Sequence, residues 1–208
     1  YAGGMPSLLA VDDRARAAVR TLLGRAGRFG ESSVRLTAHG DVVLVTVPLT
    51  VSSGLLDAGP TILGMRAVRM RAAADFDAVV PADAVMDALG EGADLDVPAA
   101  ATLPAWASVS APRTGWRPLG EVSADDVRLG ASAAAARVER ELPASPGDAV
   151  VRRVRRAVWS QGLEGHPLTL GHCAALEGLG FLGADPVVVT GVGAWTRAST
   201  RLGDVLAR

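Results

Sequence analysis

The segment Val34-Arg35-Leu36-Thr37-Ala38-His39-Gly40-Asp41-Val42-Val43-Leu44-Val45-Thr46-Val47 carries the strongest β signal in the chain. Val34, Leu36 and Ala38 alternate with polar neighbours, the period of a half-buried strand. His39-Gly40 then predicts a tight turn, with His39 as a turn residue that tolerates positive φ. Val42 to Val47 is nearly all β-branched, and such an unbroken apolar run predicts a strand covered on both faces. Upstream, Asp12 to Ala26 sets Ala15, Ala18, Val19, Leu22 and Ala26 on one helical face. Asp12 and Asp13 suit that helix's positive end, and Gly27 suits a left-handed stop. Downstream, Ser52-Ser53-Gly54 and Asp57-Ala58-Gly59-Pro60 read as a loop, and the Ser52 to Asp57 stretch has no further mark of a site. Thr61 to Arg71 reads as a long strand weakened at Gly64, and Phe76 to Val80 as a short one. Pro81 opens a helix that Gly90 closes. Residues 1–91 are therefore expected to form an α+β domain: an antiparallel sheet of four strands with flanking helices.

Residues 92–120 change character. Pro98, Pro104, Pro112 and Pro118 break long helices and central strands, while Trp106 and Trp116 are unlike a free linker. This segment reads as an ordered crossover with one short helix. Residues 121–208 then read as three helices and a small antiparallel sheet. Ser123, Asp148 and Thr169 are the expected caps, and Gly180 ends the third helix. Strands follow at Val187–Thr190 and Trp195–Thr200, with a further one at Val205–Arg208. Three helices followed by a hairpin resemble the winged-helix outline, a likeness of element order only. That resemblance implies a third helix entering a DNA groove. Here that helix, Leu170 to Gly180, holds no arginine, and residues 148–208 carry seven arginines against five acids. The local charge is too small to argue for nucleic acid.

Composition narrows the chemistry. All 21 basic residues are arginine and asparagine is absent, as codon bias in a G+C-rich bacterial genome predicts. Schiff-base, P-loop and kinase-type lysine chemistry are excluded, as is N-glycosylation. The lone Cys173 excludes an internal disulfide and a cysteine-rich zinc site. With a net charge of −1, any nucleic-acid or lipid binding needs a local patch. No signal peptide or membrane span is legible, so a cytoplasmic location is the expectation. Met5 offers a native start; equally, the chain is a piece of something longer.

The candidate binding residues are Arg152, Arg153, Arg155, Arg156 and Trp159. At 100° per residue the valines at 150, 151, 154 and 158 share one face and the arginines spread over the opposite one. Trp159 projects toward the arginines, where a cation–π contact with Arg155 or Arg156 is within geometry. Such a face suits an acidic partner or a phosphate, and equally a solvated surface paired with Glu139, Glu141 or Asp148. No catalytic set emerges. Cys173 sits on a packed helix face with His172 pointing elsewhere, and Gly191-Val192-Gly193 lacks the third glycine and the following helix of a dinucleotide site. His166 and His172 lack a zinc motif, and neither a metal nor a cofactor is expected. No family is recognised. The reading is a binding protein with a protein or small-molecule partner and an open oligomeric state. The alternatives are an enzyme with a dispersed arginine, carboxylate or serine site, and winged-helix-type DNA binding.

Overall fold

A computed structural model of the chain describes residues 8–9, 11–30, 32–51, 59–90, 94–97, 105–108 and 110–208. The loop residues Ser52 to Ala58 and the prolines at 98 and 104 lie outside that set. The fold is α+β, with a six-stranded sheet whose strands lie in the order 33–50, 62–81, 204–207, 195–199, 187–192 and 117–122, and a separate pair formed by 8–9 and 95–96. The chain divides into two compact units, residues 1–48 with 65–109 and residues 49–64 with 110–208.

The first unit contains β1 (Leu8–Leu9), α1 (Asp13–Ala26), most of β2 (Ser33–Thr50) and β3 (Ile62–Pro81), α2 (Ala82–Gly90) and β4 (Leu95–Asp96). Asp12 caps α1, its carboxylate accepting from Ala15 N–H at 2.7 Å. Gly27 does not stop this helix in a left-handed conformation. It keeps φ −55° and leads into a 3-10 turn that Gly30 ends at φ 92°.

The expected turn at His39-Gly40 is also absent, and β2 runs straight through it. Buried positions are Val34, Leu36 and Ala38 before it, then Val43, Val45, Val47 and Leu49 after it. Burial thus moves from even to odd numbers, which in a strand of period two takes one extra residue, as a β-bulge supplies. Gly40 has φ 60°, a conformation glycine adopts without steric cost. His39 stays in the strand, with Nδ1 3.1 Å from the Asp75 carboxylate. β3 likewise continues from Ile62 to Pro81, joining the long strand expected from Thr61 to Arg71 with the short one at Phe76 to Val80, so the four strands expected are two. Arg35 fastens the two, its Nε and Nη2 donating to Asp77 at 2.7 and 2.6 Å. Burial on both faces of β2 begins only at Val45; Val42 is exposed. Trp106, in a 3-10 turn, is buried and donates to Ser33 Oγ at 3.0 Å.

The second unit contains β5 (Arg117–Val122), α3 (Ala124–Glu141), α4 (Asp148–Trp159), α5 (Leu170–Leu179), β6 (Val187–Val192), β7 (Trp195–Ser199) and β8 (Asp204–Ala207). β5 to β8 pair antiparallel in the order β5-β6-β7-β8. Reciprocal bonds of 3.1 Å between Thr61 and Arg208 bring the head of β3 alongside the end of β8. β5 was expected to be irregular. It forms because it is an edge strand, where Pro118 costs no ladder bond, and its register slips between Pro118 and Gly120.

Local chemistry sets the helix starts. Ser123 Oγ accepts from Asp126 N–H at 3.0 Å, and Thr169 caps α5. The cap of α4 is Gly147 rather than Asp148, which sits in the first turn. α3 crosses α5 where Gly130 meets Cys173: a Cβ at Gly130 would lie 2.8 Å from Cys173 Sγ. Val127, Ala131, Ala134, Leu176, Leu179 and Phe181 fill the core around this crossing.

Candidate functional site

Helix α4 divides its four arginines between two environments. Arg152 and Arg153 are exposed, while Arg155 and Arg156 are half-buried. Among the described residues neither Arg152 nor Arg153 has a carboxylate partner; Glu141, a candidate in the sequence, pairs with Arg137 at 3.0 Å. The guanidinium of Arg155 lies 5.7 Å from the ring centroid of Trp159, the cation–π contact the helix geometry allows. Burial, and then the like charge of Arg152, hold Arg155 below the ordinary guanidinium pKa.

Arg156 presses against Gly59: a Cβ there would lie 2.1 Å from Arg156 Nη2. Only a glycine before a proline marks this contact in the sequence. Trp159 is buried rather than projecting, its main-chain oxygen and Cβ close against Gly171. Of the valines, Val158 is buried and Val150, Val151 and Val154 are half-buried. The structure therefore brings Arg155 and Trp159 together, turns Arg156 inward, and leaves Arg152 and Arg153 as an open basic pair beside half-covered valines.

The other candidates are absorbed by the fold. Cys173 is buried and its thiol is pushed up to about 12 by burial, so no thiolate forms at neutral pH. His172 closes a capping box: its Nδ1 accepts from Thr169 N–H at 3.1 Å and its Nε2 faces the Thr196 carbonyl at 3.3 Å. These partners fix the neutral Nε2–H tautomer. His166 instead faces Asp126 at 3.9 Å. A surface depression of about 320 Å³ lies at the start of α3, between Ser123, Asp125, Arg128 and Pro186. Arg128 spans it, donating to Asp125 and to the Gly183 carbonyl. No helix among the described residues is long and apolar enough to cross a membrane.

The arrangement of strands and helices resembles that of solved sliding clamps. The chain resembles the DnaN sliding clamp (DNA polymerase III subunit beta) of Bartonella birtlesii, solved bound to griselimycin, with TM-score 0.57 and 12% identity. It resembles the pol III beta of Caulobacter crescentus with TM-score 0.53 and 12% identity. A second structure of the Caulobacter crescentus clamp gives TM-score 0.53 and 11% identity. The likeness covers 97% of this chain, which spans 64 to 65% of the length of those proteins. At this identity the likeness is one of fold. The chain belongs to the family of the domain of unknown function DUF8010, which matches residues 5–108. Residues 111–208 match a second domain of unknown function, DUF8185. No curated protein matches the chain in sequence.

Proposed function

We propose that this chain is a bacterial, cytoplasmic binding protein of sliding-clamp-like fold that docks a protein partner on α4, through Arg152 and Arg153, with Arg155 held beside them on the buried Trp159 and Arg156 packed inward behind them. The open pair Arg152 and Arg153 carries the reading: two exposed guanidiniums without carboxylate partners among the described residues, on a helix whose valines are half-covered. Arg155 stacked on Trp159 supplies a rigid rim, since arginine and tryptophan concentrate binding energy at interfaces. A partner with acidic and apolar side chains matches this surface, whereas a catalytic role would need a set of reacting groups that the site does not bring together. The test is Arg152→Glu with Arg153→Glu, compared with the parent chain in affinity capture and in mass measured by light scattering. A partner retained by the parent and lost from the variant supports the reading. A strict monomer that retains nothing contradicts it.

The second reading, duplex DNA, draws on the fold alone, because the structural neighbours are clamps of a DNA polymerase. Against it, α5 is buried along most of its length, unlike a helix that enters a groove. DNA affinity that falls with salt, and falls further in Arg152→Ala with Arg153→Ala, would favour this reading. Affinity equal to that of a neutral control protein would end it.

A further inference from the structure

Helix α3 keeps an outward face that stays exposed along its length. At 100° per residue, Asp125, Leu129, Ala133, Ala136 and Arg140 fall within about 40° of one line along the helix, with Ser132 beside them. All six are exposed. Leu129, at 68%, is the most exposed large apolar side chain among the described residues. From Leu129 to Ala136 this line holds no charge. Its charges stand at the ends, acidic at Asp125 and basic at Arg140, about 22 Å apart.

The two ends differ in shape as well as in sign. Arg128 bonds the Asp125 carboxylate at 2.9 Å, yet Asp125 remains 90% exposed. It borders the depression of about 320 Å³ at the start of α3, whose wall continues over Ala184 and Pro186. Arg140 is exposed and has no carboxylate partner among the described residues, since Glu141 is held by Arg137 at 3.0 Å. One end thus offers a carboxylate beside a hollow, and the other a long cation.

We propose that two copies of this chain pair through α3, antiparallel about a two-fold axis between Ser132 and Ala133. The face is self-complementary: turned end for end, its acidic end meets its basic one, whereas a parallel pair would set like charges together. Arg140 of each copy enters the hollow beside Asp125 of the other. Leu129 covers Ala136, and the small Ser132 and Ala133 let the helices approach at the centre. Opposed helix dipoles favour the same arrangement. Asp126 and Glu139 meet at the rim as like charges, screened by water and salt. One helix from each copy makes a small interface, with a dissociation constant of about 10–100 μM.

Sedimentation equilibrium of the full chain from about 5 to 200 μM tests this, each variant being first shown folded by circular dichroism. The parent is expected to rise from the monomer mass toward twice that value. Leu129→Glu, Asp125→Arg and Arg140→Glu each weaken association by about tenfold or more, because every contact occurs twice in a two-fold pair. Mixing the Asp125→Arg chain with the Arg140→Glu chain restores association, since both ends of the mixed pair then join opposite charges. The Arg152→Glu with Arg153→Glu variant associates like the parent, which separates this face from α4. A parent that stays monomeric throughout the range, or association that survives Leu129→Glu, would overturn the pairing. So would a mixture that stays monomeric, or association lost with the α4 pair.

Discussion

His172 acts as the reciprocal half of a helix cap, with an imidazole where glutamate or glutamine is the usual choice. Its burial costs the charged form so heavily that its pKa falls from 6.5 to about 4, with the Thr196 carbonyl opposing only in part. The unfolded chain takes up this proton below about pH 6.5, and the folded chain only near 4. Stability from this group is therefore complete above pH 6.5 and lost progressively toward pH 4, by about 3 kcal/mol in all. Urea midpoints measured from pH 7.5 to 4 are expected to fall more steeply for the parent than for His172→Gln. Parallel profiles would contradict the assignment. Gly130 supports a second expectation. Alanine is the better helix former by about 1 kcal/mol, yet its Cβ would lie 2.8 Å from Cys173 Sγ and 3.0 Å from Leu163 Cδ1. Gly130→Ala is expected to destabilise by about 1–3 kcal/mol, and Cys173→Ala to recover part of that loss. Additive effects in denaturant unfolding of the four chains would refute the contact.

At the scale of elements, the helices were legible because caps are local. Asp12, Ser123 and Thr169 each bond within three residues of themselves, and Gly180 ends α5 with φ 67°. The long strands were not legible, because glycine at positive φ serves a hairpin turn and a bulge equally well. What separates the two is pairing with β3, across a sequence distance that no local pattern encodes. Ala72, Ala73 and Ala74, between the two strands expected at Thr61–Arg71 and Phe76–Val80, are weak β formers carried through by cross-strand pairs such as Arg35 with Asp77. Arg71 also finds Asp94, which lies outside the strand. Gly40→Val is expected to cost about 1–2 kcal/mol, because a β-branched residue resists φ near 60°. His39→Ala, on the exposed neighbour, changes stability by less than about 0.5 kcal/mol. Equal midpoints for the two variants in urea would mean that the parity change does not depend on Gly40. β5 escaped notice because Pro118 argues against a strand everywhere except at an edge.

At the scale of the whole molecule, composition and periodicity were enough for the α+β class, and the clamp-like topology was not contained in them. One step of the sheet joins the head of β3 to the end of β8 through Thr61 and Arg208, residues 147 positions apart in the sequence. With identities of 11 to 12% to the solved clamps, no motif marks that step. Trp106 and Trp116, in the sequence unlike a free linker, each make their contacts within their own unit. Trp116 donates to the Pro112 carbonyl at 2.9 Å and lies under Arg197. The α4 face was visible as a run of arginines. The inward turn of Arg156 and the burial of Trp159 were not, because both depend on residues brought near by folding, Gly59 and Gly171. Docking on α4 requires Arg152 and Arg153 to be open for a partner. The most direct measurement is quantitative affinity capture with three chains: the parent, Arg152→Glu with Arg153→Glu, and the exposed control Arg113→Glu, each first shown folded by circular dichroism. A protein retained by the parent and the control and lost at least tenfold from the double variant is the expected result; equal retention by all three would contradict docking on α4.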